Sequence, residues 1–458
     1  MLAPVSPRTL VAAASLALLA VAPAPARGGE SGAERLHRKG VHCMEEIERR
    51  DCAIEHFEAL LEERTDRREL VTDGLLRLVK LYEKEDRPED LKAALRRFWD
   101  AGKTDTRRGH LPYTARFLPK DFDVVFHAHI QRLMAAPLAK QLDEIAEYVM
   151  TCDPHVRDQL DDLRILRKAQ RKARETGVTV QKAMSDVVAE EKKRTEAYKK
   201  RRAQAEAEGR PRRPEPVFAD ATCQVARALG DDTAAAWTRG AFALAHRDFR
   251  RSAAILEIPD LAAKLAAAAA AGRLITRGSD TWALTPLRYQ GEEVLLRVLD
   301  GDDLIVAPPT VIAEIAANFA RGKRTLPREV DRLVVGVPVD AGFFAVATES
   351  AVQELGFGNM SKGRRGLLQL LLPRPEGLQM AGVAHEYFGF FLRMPTDTPL
   401  KAGALVEVVQ RMIANQAESD SDSAEFLRLL DVTQATDKRA LLLSYVLSRR
   451  QIETIVLR

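Results

Sequence analysis

The sequence predicts an α+β chain of several domains, and three observations carry that expectation. Apolar residues recur at three- and four-residue spacing from Gly32 to Gly102, which is the period of a helix. Residues 153–208 are polar, alanine-rich and nearly free of breakers, as a charged helical hairpin would be. From Arg251 onward, short β-prone runs bounded by Gly, Asp and Pro alternate with amphipathic stretches, a pattern that predicts antiparallel sheets with packed helices. The expected parts are a leader over 1–26, a helical region over 27–118 and a second helical region over 119–216. The last of these holds the charged, coiled-coil-like hairpin and a Pro/Arg linker, and an α+β domain then fills 217–458. A net charge of only +4 carries no strong electrostatic message, so any basic character is local.

The leader reads as a secretory signal peptide. Arg8 is the only charge before the apolar run Leu10 to Val21, and Ala24-Pro25-Ala26 follows as an A-x-A cleavage pattern. The run has the length of a signal-peptide core and is too short to span a bilayer. Cleavage before Arg27 and a periplasmic or secreted location are therefore expected, an uncut membrane anchor being the alternative.

Four helices fit the next region, at about 32–49, 51–64, 67–84 and 88–101. Pro88 stands where a first-turn proline is tolerated and Gly102 where a C-cap glycine belongs. Ala53, Phe57 and Leu60 are spaced four and then three apart, and Ala94, Phe98 and Ala101 repeat that spacing. Small residues at such steps let two helices approach while the ring fills the next groove. With Leu36 and Leu70 in the preceding helices, the pattern resembles the tetratricopeptide repeat, which implies stacked helical hairpins with a concave binding face. Leu60 in place of a small residue, and the missing helix-A glycine and terminal proline, depart from that repeat.

Cys43, Cys52, Cys152 and Cys223 are four in number, and an even count in an exported chain suggests disulfides. Three connectivities exist. Cys43 with Cys52, on either side of the first hairpin turn, and Cys152 with Cys223, at the base of the charged excursion, form the preferred set. Buried free thiols are the alternative. No C-x2-C pair is present, and His37 and His42, five apart on a helix, point in different directions, so no metal is expected.

Phe122 to Tyr148 reads as helical, with a break at Pro137. His127 and His129 then fall on different faces of that helix. In the hairpin, Leu160, Leu163, Ile165 and Leu166 line one arm, and Val180, Ala183, Met184, Val187 and Val188 begin the other. Past Glu190 come Lys192, Lys193, Arg194, Lys199, Lys200, Arg201 and Arg202, interleaved with glutamates. This predicts a solvated helix with i, i+4 pairs; weak contact with an anionic envelope surface is the alternative, and no nucleic-acid partner is expected.

In the α+β domain, strands are expected at 253–258, 274–276, 281–284, 294–299, 304–307, 343–347, 367–372, 378–383, 387–394, 432–435 and 440–447. Helices are expected at 260–271, 309–321, 348–355, 400–416, 424–430 and 449–456. Gly278-Ser279-Asp280 and Asp300-Gly301-Asp302 mark hairpin turns. The order of elements partly recurs, suggesting two related halves, 251–322 and 341–458. The layout, and the closing helix, strand, strand, helix pattern, resemble uncharacterised exported bacterial proteins, a likeness that implies no activity.

No catalytic motif stands in a convincing setting. Lys362, Arg364 and Arg365 lie among glycines in a loop that could close on an anion, and His385-Glu386 lies in a turn. Asp420, Asp422 and Glu425 lack the glycine and spacing of a calcium loop. The expectation is a non-enzymatic exported binding or scaffolding protein without a cofactor. Its partner would be an envelope protein or peptide, received on the concave face of the helical pairs or an exposed sheet edge. An envelope hydrolase or transferase built on the α+β domain is the alternative.

Overall fold

The computed structural model describes residues 31–63, 67–101, 111–141, 162, 165–166, 168–170, 172–207, 217–231, 237–278, 280–289, 292–338, 340–357, 374–419, 427 and 430–456. They form N-terminal helices and a large antiparallel sheet with packed helices, divided into two compact units, 1–74 and 75–458.

The first unit contains α1 (Gly32–Glu45), α2 (Arg50–Glu62) and the start of α3 (Arg68–Lys84). Ser31 begins α1 with a reciprocal cap. The Glu34 N–H donates to the Ser31 hydroxyl at 3.2 Å, and the Ser31 N–H donates to the Glu34 carboxylate at 3.0 Å. These bonds satisfy two donors that a helix start otherwise leaves orphaned. The backbone bond from Ser31 is the main reason the Glu34 carboxyl sits below the usual carboxylate range. Ala53, Phe57 and Leu60 are fully buried, so the sequence spacing does define the packed face of α2. A Cβ on Gly40 would lie 2.7 Å from the Phe57 ring; glycine there lets the ring press against the backbone of α1. Cys43 and Cys52 are joined across the hairpin turn, their Cα atoms 5.8 Å apart.

The second unit continues with α4 (Pro88–Ala101), β1 (Val124–Ala128), α5 (Ile130–Ala135), α6 (Pro137–Gln141), α7 (Val180–Ala207) and α8 (Val217–Leu229). Next come β2 (Arg239–Ala245), β3 (Asp248–Glu257), α9 (Leu261–Ala270), β4 (Ile275–Thr276), β5 (Thr281–Tyr289), β6 (Glu292–Asp300) and β7 (Asp303–Ala307). They are followed by α10 (Pro309–Ala320), α11 (Arg328–Val335), β8 (Phe343–Thr348), α12 (Glu349–Phe357), β9 (Gly377–Ala384) and β10 (Phe388–Pro395). The described chain ends with α13 (Pro399–Ser419), β11 (Asp431–Gln434), β12 (Ala440–Leu447) and α14 (Arg449–Val456).

Among the described residues, twelve strands form one sheet in the order β11-β12-β10-β9-β8-β1-β2-β3-β7-β6-β5-β4. The expected halves share it but thread it differently. β3 is flanked by β7, the last strand of its half, whereas β8 is flanked by β9, the next one. Between them lies β1, where the sequence reading placed a helix. The run Val124-Val125-Phe126-His127-Ala128 is β-branched and aromatic, and it pairs on both sides, with β2 and β8. That propensity outweighs the helical spacing of its neighbours. His127 is therefore a buried strand residue with its ring 4.9 Å from that of Phe344. His129 caps α5 through its ring. Other elements missed in the sequence are β2, α8 and α11. The expected strand 367–372 and all of 424–430 except Leu427 and Leu430 lie outside the described residues.

The arms of the charged hairpin do fold against one another. Ala169 and Ala173 pack on Ala183 and Val187, and the Lys172 ammonium reaches Glu190 at 3.6 Å. Beyond them Lys192, Lys193, Glu196 and Lys200 of α7 are exposed. None of the described helices is long and apolar enough to cross a membrane.

Candidate functional site

Strand alternation sorts the sheet into two faces. On one, α11 packs on β8 and β9 near the middle and α4 packs on β10 and β11 toward one end. Phe98 stacks on Phe391 with ring centroids 3.9 Å apart, Arg96 donates to the Thr433 hydroxyl at 2.6 Å, and Gln379 donates to the Leu333 carbonyl at 2.7 Å. On the other face, helices cover the two ends. α13 places Leu405 on Val432 and Leu441, while α8 and α9 bury Val225, Leu229, Leu261 and Leu265 against Leu256, Leu304 and Val306.

Between those covers, the same face carries a row of rings. Cross-strand register aligns Phe126 with Ala345 and Phe242, Phe343 with Gly382, and Phe390 with both Gly382 and Tyr445. Phe126 stacks with Phe343 and Phe343 with Phe388, each at 6.1 Å, and Phe390 stacks with Tyr445 at 5.0 Å. Gly382 makes room for this row, because a Cβ there would fall 2.0 Å from the Phe343 ring. Phe343, Phe388, Phe390 and Tyr445 are half-buried, and Phe126 is 40% exposed. Burial also pushes the Tyr445 hydroxyl above its ordinary pKa. A strip of partly exposed rings on a paired sheet suits apolar side chains of a partner, since aromatic residues offer large contact area at low conformational-entropy cost.

The sheet edges are less suited to receive a strand. β4 spans two residues and β11 four. The Val432 carbonyl of β11 also accepts a bond from Gln410 of α13 at 2.8 Å. Short, side-chain-engaged edges resist strand addition.

Two polar groupings lie on the face opposite the rings. At one end of the central strands, Asp123 accepts bonds from the His246 N–H at 2.9 Å and from the His246 ring. The Asp123 carbonyl accepts the Thr348 N–H at 2.9 Å, so this residue pins β2, β1 and β8 together. Farther along, the buried Asp303 accepts from the Thr114 N–H at 3.2 Å and its hydroxyl at 2.8 Å. Burial raises the Asp303 carboxyl above its ordinary value of 3.8, and Thr114 pulls it partly back. Below that ordinary value Asp303 is neutral folded or unfolded. As pH rises through it, the unfolded chain ionises first and the folded state loses stability until the raised value is passed. Asp303→Asn, neutral throughout, is therefore expected to gain stability relative to wild type between about pH 4 and about pH 7, read from denaturant midpoints at both.

Cys43 and Cys52 are joined, and Cys223 is disulfide-bonded; Cys152 lies outside the described residues. So do Lys362, Arg364 and Arg365, the glycine loop around them, and Asp420, Asp422 and Glu425. His385 and Glu386 occupy the β9–β10 turn, where Gln141 donates to the Glu386 carboxylate at 3.0 Å. His37 bonds Asp73 at 2.7 Å and His42 bonds Glu46 at 2.9 Å. The histidine beside the disulfide is His56, which no sequence motif marks as a site. A ring nitrogen of His56 and the sulfurs of Cys43 and Cys52 all lie within 4.8 Å of one another. Its signal is a C-x3-H spacing on α2.

No protein-family model matches the chain, and neither a curated protein nor a solved structure matches it significantly.

Proposed function

We propose that this chain is an exported, non-enzymatic binding or scaffolding protein of the periplasm or extracellular space, recognising an envelope protein or peptide. The aromatic row on the middle of the sheet carries this reading: Phe126, Phe343, Phe388, Phe390 and Tyr445 form a partly exposed strip between two helix-covered ends. An apolar peptide segment laid along that strip would bury both partners' rings and side chains. The leader-like residues before Arg27 and the Cys43–Cys52 disulfide support export. The tetratricopeptide-like pattern of α2 and α4 supports a recognition role for the helices as well, with the sheet face as the primary surface.

Phe126→Asp tests the reading, because the ring's exposure lets the fold accept the change while a charge disrupts an apolar contact. Capture of the partner from the native envelope is expected to fall by about tenfold or more, the scale of an aromatic interface anchor. Capture equal to wild type, with an unchanged circular dichroism spectrum, would reject the row as the surface.

A further inference from the structure

α1 brings Cys43 to its C-terminal turn, α2 holds Cys52 in its first turn, and His56 follows Cys52 by four residues on the same face of α2. The hairpin thus gathers two sulfurs and an imidazole within 4.8 Å. Cys43 is buried, while Cys52 and His56 are half-buried, so the group is sheltered yet reachable from solvent. The two histidines of α1 point elsewhere, His37 to Asp73 and His42 to Glu46.

Two thiolates and one imidazole are the donors that a borderline-soft d10 ion takes in a tetrahedral site. Metal–sulfur bonds there are about 2.3 Å and metal–nitrogen bonds about 2.0–2.1 Å. Around such an ion the donors stand roughly 3.4–3.8 Å apart, within the spread the hairpin already imposes. The 5.8 Å between the two Cα atoms lets both side chains reach one ion without moving the helices. In the oxidised chain the sulfurs are bonded to each other and cannot ligate as thiolates.

We propose that Cys43, Cys52 and His56 form a redox-gated metal site, closed as a disulfide and able to bind one Zn2+ when reduced. Opening it takes a dithiol reductant. The dithiol supplies two electrons and two protons, the Cys43–Cys52 bond breaks to give two thiols, and the reductant leaves as its own disulfide. Zn2+ then displaces both thiol protons to solvent and takes the two thiolates, the neutral His56 imidazole and one water. The same hairpin would be held by a covalent bond in an oxidising compartment and by a metal in a reducing one.

The test uses the full chain, reduced with a dithiol, desalted without oxygen and titrated with Co2+, then with Zn2+ against a chromophoric chelator. One equivalent of Co2+ is expected to give tetrahedral d–d bands and thiolate-to-cobalt charge transfer, and the oxidised chain neither. His56→Ala should weaken Zn2+ binding more than about a hundredfold, since outer-shell partners alone are worth roughly 10–100-fold. The double variant Cys43→Ser/Cys52→Ser, which retains Cys152 and Cys223, should lose the bands. Bands that persist in the double variant, or wild-type affinity in His56→Ala, would overturn the site. Loss of helical circular dichroism on reduction without recovery on adding Zn2+ would overturn it as well.

Discussion

Phe57→Ala is expected to destabilise the first unit by about 3–5 kcal/mol, the range for truncating a buried aromatic side chain. Phe57 is fully buried. Its ring lies against Gly40, where even a single added carbon would clash at 2.7 Å, and meets the His37 ring edge-on at 6.1 Å. Neither neighbour can refill the space. Gly40 has no side chain, and His37 is held by its 2.7 Å bond to Asp73. The disulfide keeps the ends of α1 and α2 together, so the variant should stay helical while its packing loosens. Hydrogen exchange checks this: amides of residues 33–62 should lose protection while those of the sheet keep theirs. Protection unchanged in α1 and α2 would mean the ring is not what joins them.

Phe391→Ala is expected to cost a similar amount, about 3–5 kcal/mol, in the second unit. Phe391 is fully buried on β10 and stacks nearly parallel with Phe98 of α4, at 3.9 Å and 8°. Its cross-strand partners are Ala381 and Ser444, both too small to close the gap. Removing the ring takes away both the transfer free energy and the stacked partner. The remaining contact from α4 to this end of the sheet includes the bonds from Arg96 to the Thr433 hydroxyl at 2.6 and 3.2 Å. Chemical denaturation should show a lower midpoint, with faster exchange in β10 and β12. An unfolding free energy within about 0.5 kcal/mol of wild type, the usual range for surface changes, would show that α4 is held by something else.

Much of the architecture is legible because local rules agree with the fold. Pro88 opens α4, and Asp300-Gly301-Asp302 turns the β6–β7 hairpin with Gly301 at φ 51°. Arg449–Val456 forms the closing helix where its spacing places it. Cys43 and Cys52 are legible as the preferred pair because they fall on either side of a hairpin turn, where the helix ends approach. β2 is harder to see. Arg239–Ala245 contains glycine and alanine instead of β-branched residues, and only pairing with β1 and β3 makes it a strand. β1 is hidden by the opposite problem, a strong strand run set among helix-like spacing.

The aromatic row cannot be read from any one stretch of sequence. Its rings come from positions 126, 343, 388, 390 and 445, on four strands, and only the register of a sheet with β1 at its centre brings them onto one face. His56 is similar on a smaller scale. Its spacing from Cys52 is visible, but its approach to Cys43 is set by the fold of the hairpin.

Photocross-linking tests the proposed recognition face most directly. A benzophenone side chain replaces Phe126, 40% exposed in the row, or Leu400, 84% exposed at the start of α13. Irradiation in the native envelope should give a discrete adduct from position 126 and none from the more exposed position 400. Adducts from 400 alone, or equally from both, would contradict the assignment of the ring-lined face as the place where a partner sits.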